Sequence, residues 1–180
     1  MGQTLREAGK KLEEKALLTL KEKITRADDF AEIIHPVSRK GTLDILSAQW
    51  RDFGERRDTV TAEFVFQKTP DDPDGGTDFH VMITLHDDAP AEYTPELAFA
   101  LSIINFYIEK GCFALNKPTN LLVYRSIRTF SADTSEEILL RDCIREMLQA
   151  RRIAAKYSSA VMSLAEGSLS LEVFLDLVEG

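Results

Sequence analysis

Apolar residues recur at spacings of three, four and seven over residues 3–25, and Lys and Glu fill the positions between them. The repeat is carried by Leu5, Leu12, Ala16, Leu17, Leu20 and Ile24. This period places the apolar side chains on one face of an amphipathic helix. Phe30, Ile33 and Ile34 extend or follow this helix up to Pro36, which cannot continue it. The first part of the chain is therefore predicted to be a long helix or a pair of helices.

In the next part of the chain, apolar and polar residues alternate, which is typical of β-strands with one buried face. The alternation is clear at residues 59–67 and 79–86, and an earlier run at residues 43–50 changes parity between Ile45 and Leu46. The parity change favours a strand with a bulge or with a buried first half. Turn-forming residues separate the three runs, so we predict three successive strands in an antiparallel meander.

A second helix is predicted from Thr94, with Pro95 at its first position and Gly111 as its closing glycine. Its residues are apolar on more than one side, so we expect the sheet and a further element to cover it. Residues 113–115 and 121–130 follow as a second hairpin, joined by a turn-prone segment.

A capping box at residues 134–137 opens a helix that is predicted to run to about Glu166. The stretch at residues 169–178 fits a helix and a strand almost equally well. The order α-β-β-β-α-β-β-α predicts an α+β fold with an antiparallel sheet. We expect a single domain over residues 1–180, in which residues 168–180 form a short C-terminal tail element, and the strand order stays open.

The amino-acid composition of the chain makes several classes of function unfavourable. The chain has 180 residues, of which 44% are hydrophobic and 29% charged, and its net charge is −8. This balance repels nucleic-acid phosphates and anionic lipids, so we expect neither as a partner. No apolar run reaches the roughly 18 residues of a membrane span, and the start of the chain lacks a signal peptide. We therefore predict a soluble, cytoplasmic protein.

Residues that could carry chemistry are few. His80 and His86 are separated by roughly 20 Å along a predicted strand, too far to share one zinc ion, and His35 lies at a loop junction. The acidic loop at residues 70–76 lacks the spacing of a calcium loop. The two cysteines are interpreted as reduced thiols in or near the core. No phosphate loop or serine nucleophile motif is present, so we expect no catalytic residue, no cofactor and no metal.

The chain carries more apolar surface than one small sheet can cover. Besides the broadly apolar helix at residues 97–108, the candidates for an exposed interface are Trp50, Leu171, Phe174, Leu175 and Val178. For each residue alone, burial in the core is the competing interpretation. As a group they predict a face that binds another protein or a second copy of the chain.

Four segments resemble one known superfamily. They are Ile103-Ile104-Asn105-Phe106-Tyr107, Gly111-Cys112-Phe113-Ala114-Leu115, Leu121-Leu122-Val123-Tyr124-Arg125 and the helix at residues 136–165. In these segments and in its element order, the chain resembles the type III secretion chaperone-like superfamily, and within it the YbjN-like proteins described as sensory transduction regulators. The resemblance implies a twisted antiparallel sheet with helices packed on one face, dimerisation through a helix or strand, and a partner bound on exposed strands or apolar grooves.

Together, these observations predict a non-enzymatic protein-binding domain that is regulatory or chaperone-like, with a homodimer as the expected assembly. Three alternatives remain: a small enzyme with a dispersed site between sheet and helices, a type III secretion effector chaperone, and a purely structural homodimer.

Overall fold

The amphipathic pattern at the start of the chain forms one helix, α1 (Gly2–Thr25), and no helix follows it directly. In the computed structural model, which describes residues 2–38, 41–69 and 75–179, the chain turns at Asp28, whose φ of 61° is left-handed. Residues Phe30–Ile34 then form a strand, β1. The prediction of helix over these residues is wrong because their side chains alternate between the two faces of the sheet and their backbone pairs with a second strand.

The remaining elements follow in chain order. They are β2 (Val37–Ser38), β3 (Gly41–Thr42), β4 (Ile45–Phe53), β5 (Asp58–Lys68), β6 (Thr77–His86), α2 (Thr94–Tyr107), β7 (Cys112–Asn116), β8 (Leu121–Phe130), α3 (Glu136–Ala165) and α4 (Leu171–Glu179). The predicted run of three strands, the second hairpin and the capping-box helix are confirmed. The predicted order lacks β1 and the short β2–β3 pair. Residues 169–178, which fit a helix and a strand almost equally well by sequence, contain the helix α4.

Six strands form one antiparallel sheet in the order β1-β4-β5-β6-β8-β7. Three sequential neighbours, β4, β5 and β6, make the predicted meander, and β7 pairs antiparallel with β8, so that Cys112 lies opposite Arg125. The α+β class with an antiparallel sheet is thereby confirmed. Strands β2 and β3 form a separate two-stranded sheet.

The chain forms two compact units. The first comprises the described residues within Met1–Gln49, Ala62–Val81 and Ile127–Leu148, and the second those within Trp50–Thr61, Met82–Ser126 and Gln149–Gly180. The single domain expected over residues 1–180 stays a prediction.

Aromatic packing defines the core of the first unit. Phe79 lies between Phe64 and Phe66, with ring centroids 6.2 and 4.9 Å away. Helix α1 contributes Leu17 and Leu20, which are buried, so its apolar stripe is the core face that the spacing predicts.

The turn between β4 and β5 is attached to the C-terminal half of α3 in the second unit. Gly54 has a φ of 66°, and a Cβ there would lie 2.3 Å from Ser158 Oγ, so only glycine fits. Ser159 Oγ accepts hydrogen bonds from two successive backbone N–H groups of the turn, each at 3.1 Å. Arg56 completes the attachment with two hydrogen bonds to the Glu166 carboxylate, at 2.8 and 3.0 Å.

We expect the substitution Glu166→Gln to destabilise the protein at neutral pH and to have little effect in acid. The hydrogen bonds from Arg56 hold the pKa of Glu166 below its ordinary value of 4.5. A carboxylate with a lowered folded-state pKa stabilises the fold above its ordinary pKa, and this contribution is lost as the pH falls through the folded value. Urea unfolding at about pH 7 and about pH 3 measures the difference.

The matched control is Glu172→Gln, which removes an exposed carboxylate of α4 that has no ion-pair partner among the described residues. It should leave the free energy of unfolding nearly unchanged at both pH values. A loss of stability in Glu166→Gln that is equal at both pH values would contradict a role for the ion pair.

Candidate protein-binding surface

Helix α2 is apolar on two faces, and only one of them is covered. Its buried face consists of Leu97, Ala100, Leu101 and Ile104. On the other side Phe99, Phe106 and Tyr107 are exposed, and 84% of the surface of Phe106 is accessible. An exposed phenylalanine on an ordered helix forgoes the free energy of burial, so this face of α2 is a candidate for binding a partner.

The C-terminal end of α2 is held in place by side-chain hydrogen bonds. Asn105 accepts a hydrogen bond from the backbone N–H of Phe113 at 2.7 Å and donates one to the carbonyl of Phe113 at 2.9 Å. Tyr124 donates a hydrogen bond to the carbonyl of Lys110 at 2.8 Å. The helix is therefore tied to β7 at the residue that immediately precedes Phe106.

The two exposed aromatic rings at this helix end contact each other. The centroids of Phe106 and Tyr107 are 5.5 Å apart, with the ring planes at 89° in an edge-to-face arrangement. This contact restricts both side chains, so binding a partner here would cost less conformational entropy than ordering two independent rings.

Helix α4 packs against α2 and carries exposed apolar residues of its own. Phe174 of α4 is fully buried, whereas Val173 and Leu177 face outward, with Leu177 62% exposed. We use the name α2–α4 surface for the exposed apolar residues of these two helices, which are Phe99, Phe106, Tyr107, Val173 and Leu177.

The structure separates the five predicted interface residues into two groups. Trp50 and Phe174 are fully buried within the chain and are thus core residues that cannot form a free surface. The Trp50 ring stacks on Phe53 at a centroid distance of 5.9 Å, and the Arg151 guanidinium lies 5.0 Å from its centre. The other three residues, Leu171, Leu175 and Val178, are partly exposed, and their role in an interface stays a prediction.

Sequence reasoning named the helix at residues 97–108 as a candidate interface but did not identify which of its residues are exposed, and it missed Val173 and Leu177 of α4. The stripe of Leu171, Phe174, Leu175 and Val178 has helical spacing, and its largest member turns toward the unit's own core because full burial of a phenylalanine stabilises most. The available signal was the excess of apolar residues in each helix. When one face of a helix is buried, the apolar residues on the opposite side of the helix axis are the ones left exposed.

A groove of about 520 Å³ lies in the first unit. It contains the one close histidine–carboxylate pair in this region, His35 Nδ1 to Asp44 Oδ1 at 2.7 Å, and His35 is exposed as expected. Its described lining holds no Ser, Thr or Cys for that histidine to activate. The lining residues are Glu14, Leu17, Leu18, Lys21, Ile33, His35 and Asp44.

The cysteines differ in accessibility. Cys143 is buried as expected, and burial together with the negative charges of Asp142 and Glu146 raises its pKa well above the ordinary value, which keeps it a protonated thiol. Cys112 is exposed, so its expected place in or near the core is wrong. Within residues 2–38, 41–69 and 75–179, no three His, Cys, Asp or Glu side chains are grouped to hold a metal ion, and the acidic residues 71, 72 and 74 lie outside the described part.

No protein-family model matches the chain, and no curated protein or solved structure is similar to it at a significant level. No helix in the described part of the chain is long and apolar enough to cross a membrane.

Proposed function

We propose that the chain is a non-enzymatic protein-binding domain, regulatory or chaperone-like, that associates through the α2–α4 surface. The observation that supports this proposal is the almost fully exposed Phe106 on a helix end that hydrogen bonds hold in place. Rigid, exposed aromatic side chains are the residues that most often dominate the free energy of protein association.

The free energy that burial of the exposed rings would provide also favours a binding role. Burying one fully exposed phenylalanine side chain is worth about 1.5–3 kcal/mol. Phe99 is 52% and Phe106 84% exposed, so covering what remains of both would contribute about 2–4 kcal/mol to association. Because the supporting backbone is already ordered, little of this is offset by ordering the helix.

The resemblance to YbjN-like proteins points in the same direction. It implies dimerisation through a helix or strand, and the α2–α4 surface is a helical face with exposed apolar residues. A second copy of the chain is therefore the first partner to test, and another protein is the second.

We expect the double substitution Phe99→Ser and Phe106→Ser to abolish self-association. Each lost aromatic contact should weaken the dimer about tenfold or more. Light scattering over a range of protein concentrations measures the mass. The matched control is the double substitution Leu18→Ser and Ile127→Ser, which removes two other exposed apolar side chains, 53% and 46% accessible, from the first unit.

The proposal is supported if the wild type and the control variant are dimers and the Phe99/Phe106 variant is a monomer. If the wild type is monomeric, the homodimer is rejected, and affinity capture with the same variants tests a foreign partner. Capture of the same proteins by the wild type and the Phe99/Phe106 variant would then overturn the proposal.

A further inference from the structure

Three arginines surround one buried carboxylate in the first unit. The Asp142 carboxylate lies 2.8 Å from the Arg128 guanidinium, 2.9 Å from that of Arg141 and 4.0 Å from that of Arg145. The bond from Arg141 leads the effects that lower the pKa of Asp142 below its ordinary value, so Asp142 is charged at neutral pH. These four groups carry a net charge of +2 in a chain whose net charge is −8.

The arginines remain accessible although they share this carboxylate. The side chains of Arg128, Arg141 and Arg145 are 47%, 49% and 72% exposed, whereas that of Asp142 is only 11% exposed. Each guanidinium has five N–H donors, and one carboxylate can accept only about four hydrogen bonds in total. Asp142 can therefore accept hydrogen bonds from only a minority of these donors, while it fixes the position of the guanidiniums that contact it.

Two exposed aliphatic residues of α3 flank the arginines at helical spacing. Ile138, Arg141, Arg145 and Leu148 follow each other at intervals of three, four and three residues, and all four are exposed. This is the spacing of the contact seam in a pair of packed helices. Over roughly 15 Å of helix, the seam is apolar at both ends and basic in the middle. We name these four residues and Arg128 the arginine ridge.

Charge decides which partner fits the ridge. Two copies of the chain that met ridge to ridge would bring arginines against arginines, which is unfavourable. Only two separated aliphatic side chains are available for insertion into a bilayer, which is little apolar area for membrane binding. An amphipathic helix with the opposite pattern, acidic in the middle and apolar at both ends, satisfies both parts of the seam.

We propose that the arginine ridge binds an acidic amphipathic helix of another protein, with carboxylates against Arg141 and Arg145 and apolar side chains against Ile138 and Leu148. This second binding face is independent of the α2–α4 surface. Arg128, which β8 supplies, contacts the same helix from the side, and Asp142 positions the guanidiniums without contacting the partner.

The probe is a synthetic peptide of about three heptads with Leu and Glu at the complementary seam positions, and a peptide of the same composition in scrambled order is its control. Fluorescence anisotropy measures binding at low and at physiological salt. We expect the seam peptide to bind, to bind more weakly at higher salt, and to lose at least about tenfold in affinity with Arg141→Gln plus Arg145→Gln.

The charge-matched control is Lys11→Gln plus Lys23→Gln, two exposed lysines of α1, which changes the net charge by the same amount. Its affinity should stay within about twofold of the wild type. Leu148→Glu is a second test because it places a like charge against the acidic helix at an exposed site that core packing does not need. The Phe99/Phe106 variant should bind the peptide as the wild type does, so that failure of one binding face is distinguished from failure of the other.

Several results would overturn the proposal. These are absence of saturable binding to the wild type, equal affinity for the scrambled peptide, equal losses in the arginine and lysine variants, and binding to phosphatidylserine vesicles in place of the peptide. Circular dichroism of each variant establishes that it is folded before its affinity is compared.

Discussion

Replacement of Phe174 by alanine is expected to lower the free energy of unfolding by about 3–5 kcal/mol, the usual cost of removing a fully buried phenylalanine. Phe174 has no accessible surface and is the one buried side chain among residues 171–178 of α4, whose burial is described. A helix of nine residues is too short to be stable in isolation, so α4 depends on this contact. Urea unfolding followed by circular dichroism measures the change.

Leu177→Ala on the same helix is the control. Leu177 is 62% exposed, so its truncation should cost less than about 1 kcal/mol. Equal, small losses in the two variants would show that α4 is not anchored through Phe174. Deletion of residues 168–180 is not a clean test of association. It would remove the core residue Phe174 together with any interface residues, so a change in assembly could reflect a loss of stability.

Gly111→Ala is expected to have the second large effect. Gly111 has a φ of 72°, and a Cβ there would lie 2.3 Å from Tyr124 Oη and 2.5 Å from the carbonyl oxygen of Arg125. The left-handed backbone costs a non-glycine residue about 1–3 kcal/mol, and the clash adds a cost of about 1–3 kcal/mol. Because Arg125 contributes backbone paired in the sheet, the clash cannot be relieved by a side-chain rotation.

Gly9→Ala is the opposite case and serves as the control. Gly9 lies within α1, and a Cβ there meets nothing within 4 Å. Alanine at such a helical position should stabilise the protein by about 0.5–1 kcal/mol. Thermal unfolding of the two variants should therefore shift in opposite directions, and a neutral Gly111→Ala would contradict the close approach of Tyr124 and Arg125.

Gly111 also bears on the proposed function. The same Tyr124 hydroxyl that its Cβ would strike donates the hydrogen bond to Lys110 that helps to hold the end of α2. We therefore expect Gly111→Ala to disturb the placement of Phe106 and to weaken association as well as stability.

The local elements were largely predictable because their signals are local. The alternation at residues 59–67 and 79–86 identified β5 and β6. The capping box at residues 134–137 identified the start of α3, which begins at Glu136. There Ser135 Oγ accepts a weak hydrogen bond from the Ile138 N–H group at 3.5 Å. The prediction failed at β1, since five residues with three large apolar side chains fit a helix and a strand alike. Pairing with β4 decided the outcome there.

The binding faces were less predictable for a physical reason. A sequence shows that a helix has more apolar residues than one face requires, as α2 and α4 do, but it does not show which face the rest of the chain covers. The arginine ridge was not predicted because Arg128 is distant from Arg141 in sequence and only the packing of β8 beside α3 brings both to Asp142.

The sequence by itself determined the periodic elements, the antiparallel α+β class and the acidic character of the chain, because propensity, spacing and charge act over a few residues at a time. Only the tertiary structure decided the strand order, the burial of Trp50 and Phe174, the exposure of Phe106 and the gathering of three arginines on one carboxylate. Each of these depends on contacts between residues that are far apart along the chain, and the free energy of such contacts is set by packing in three dimensions.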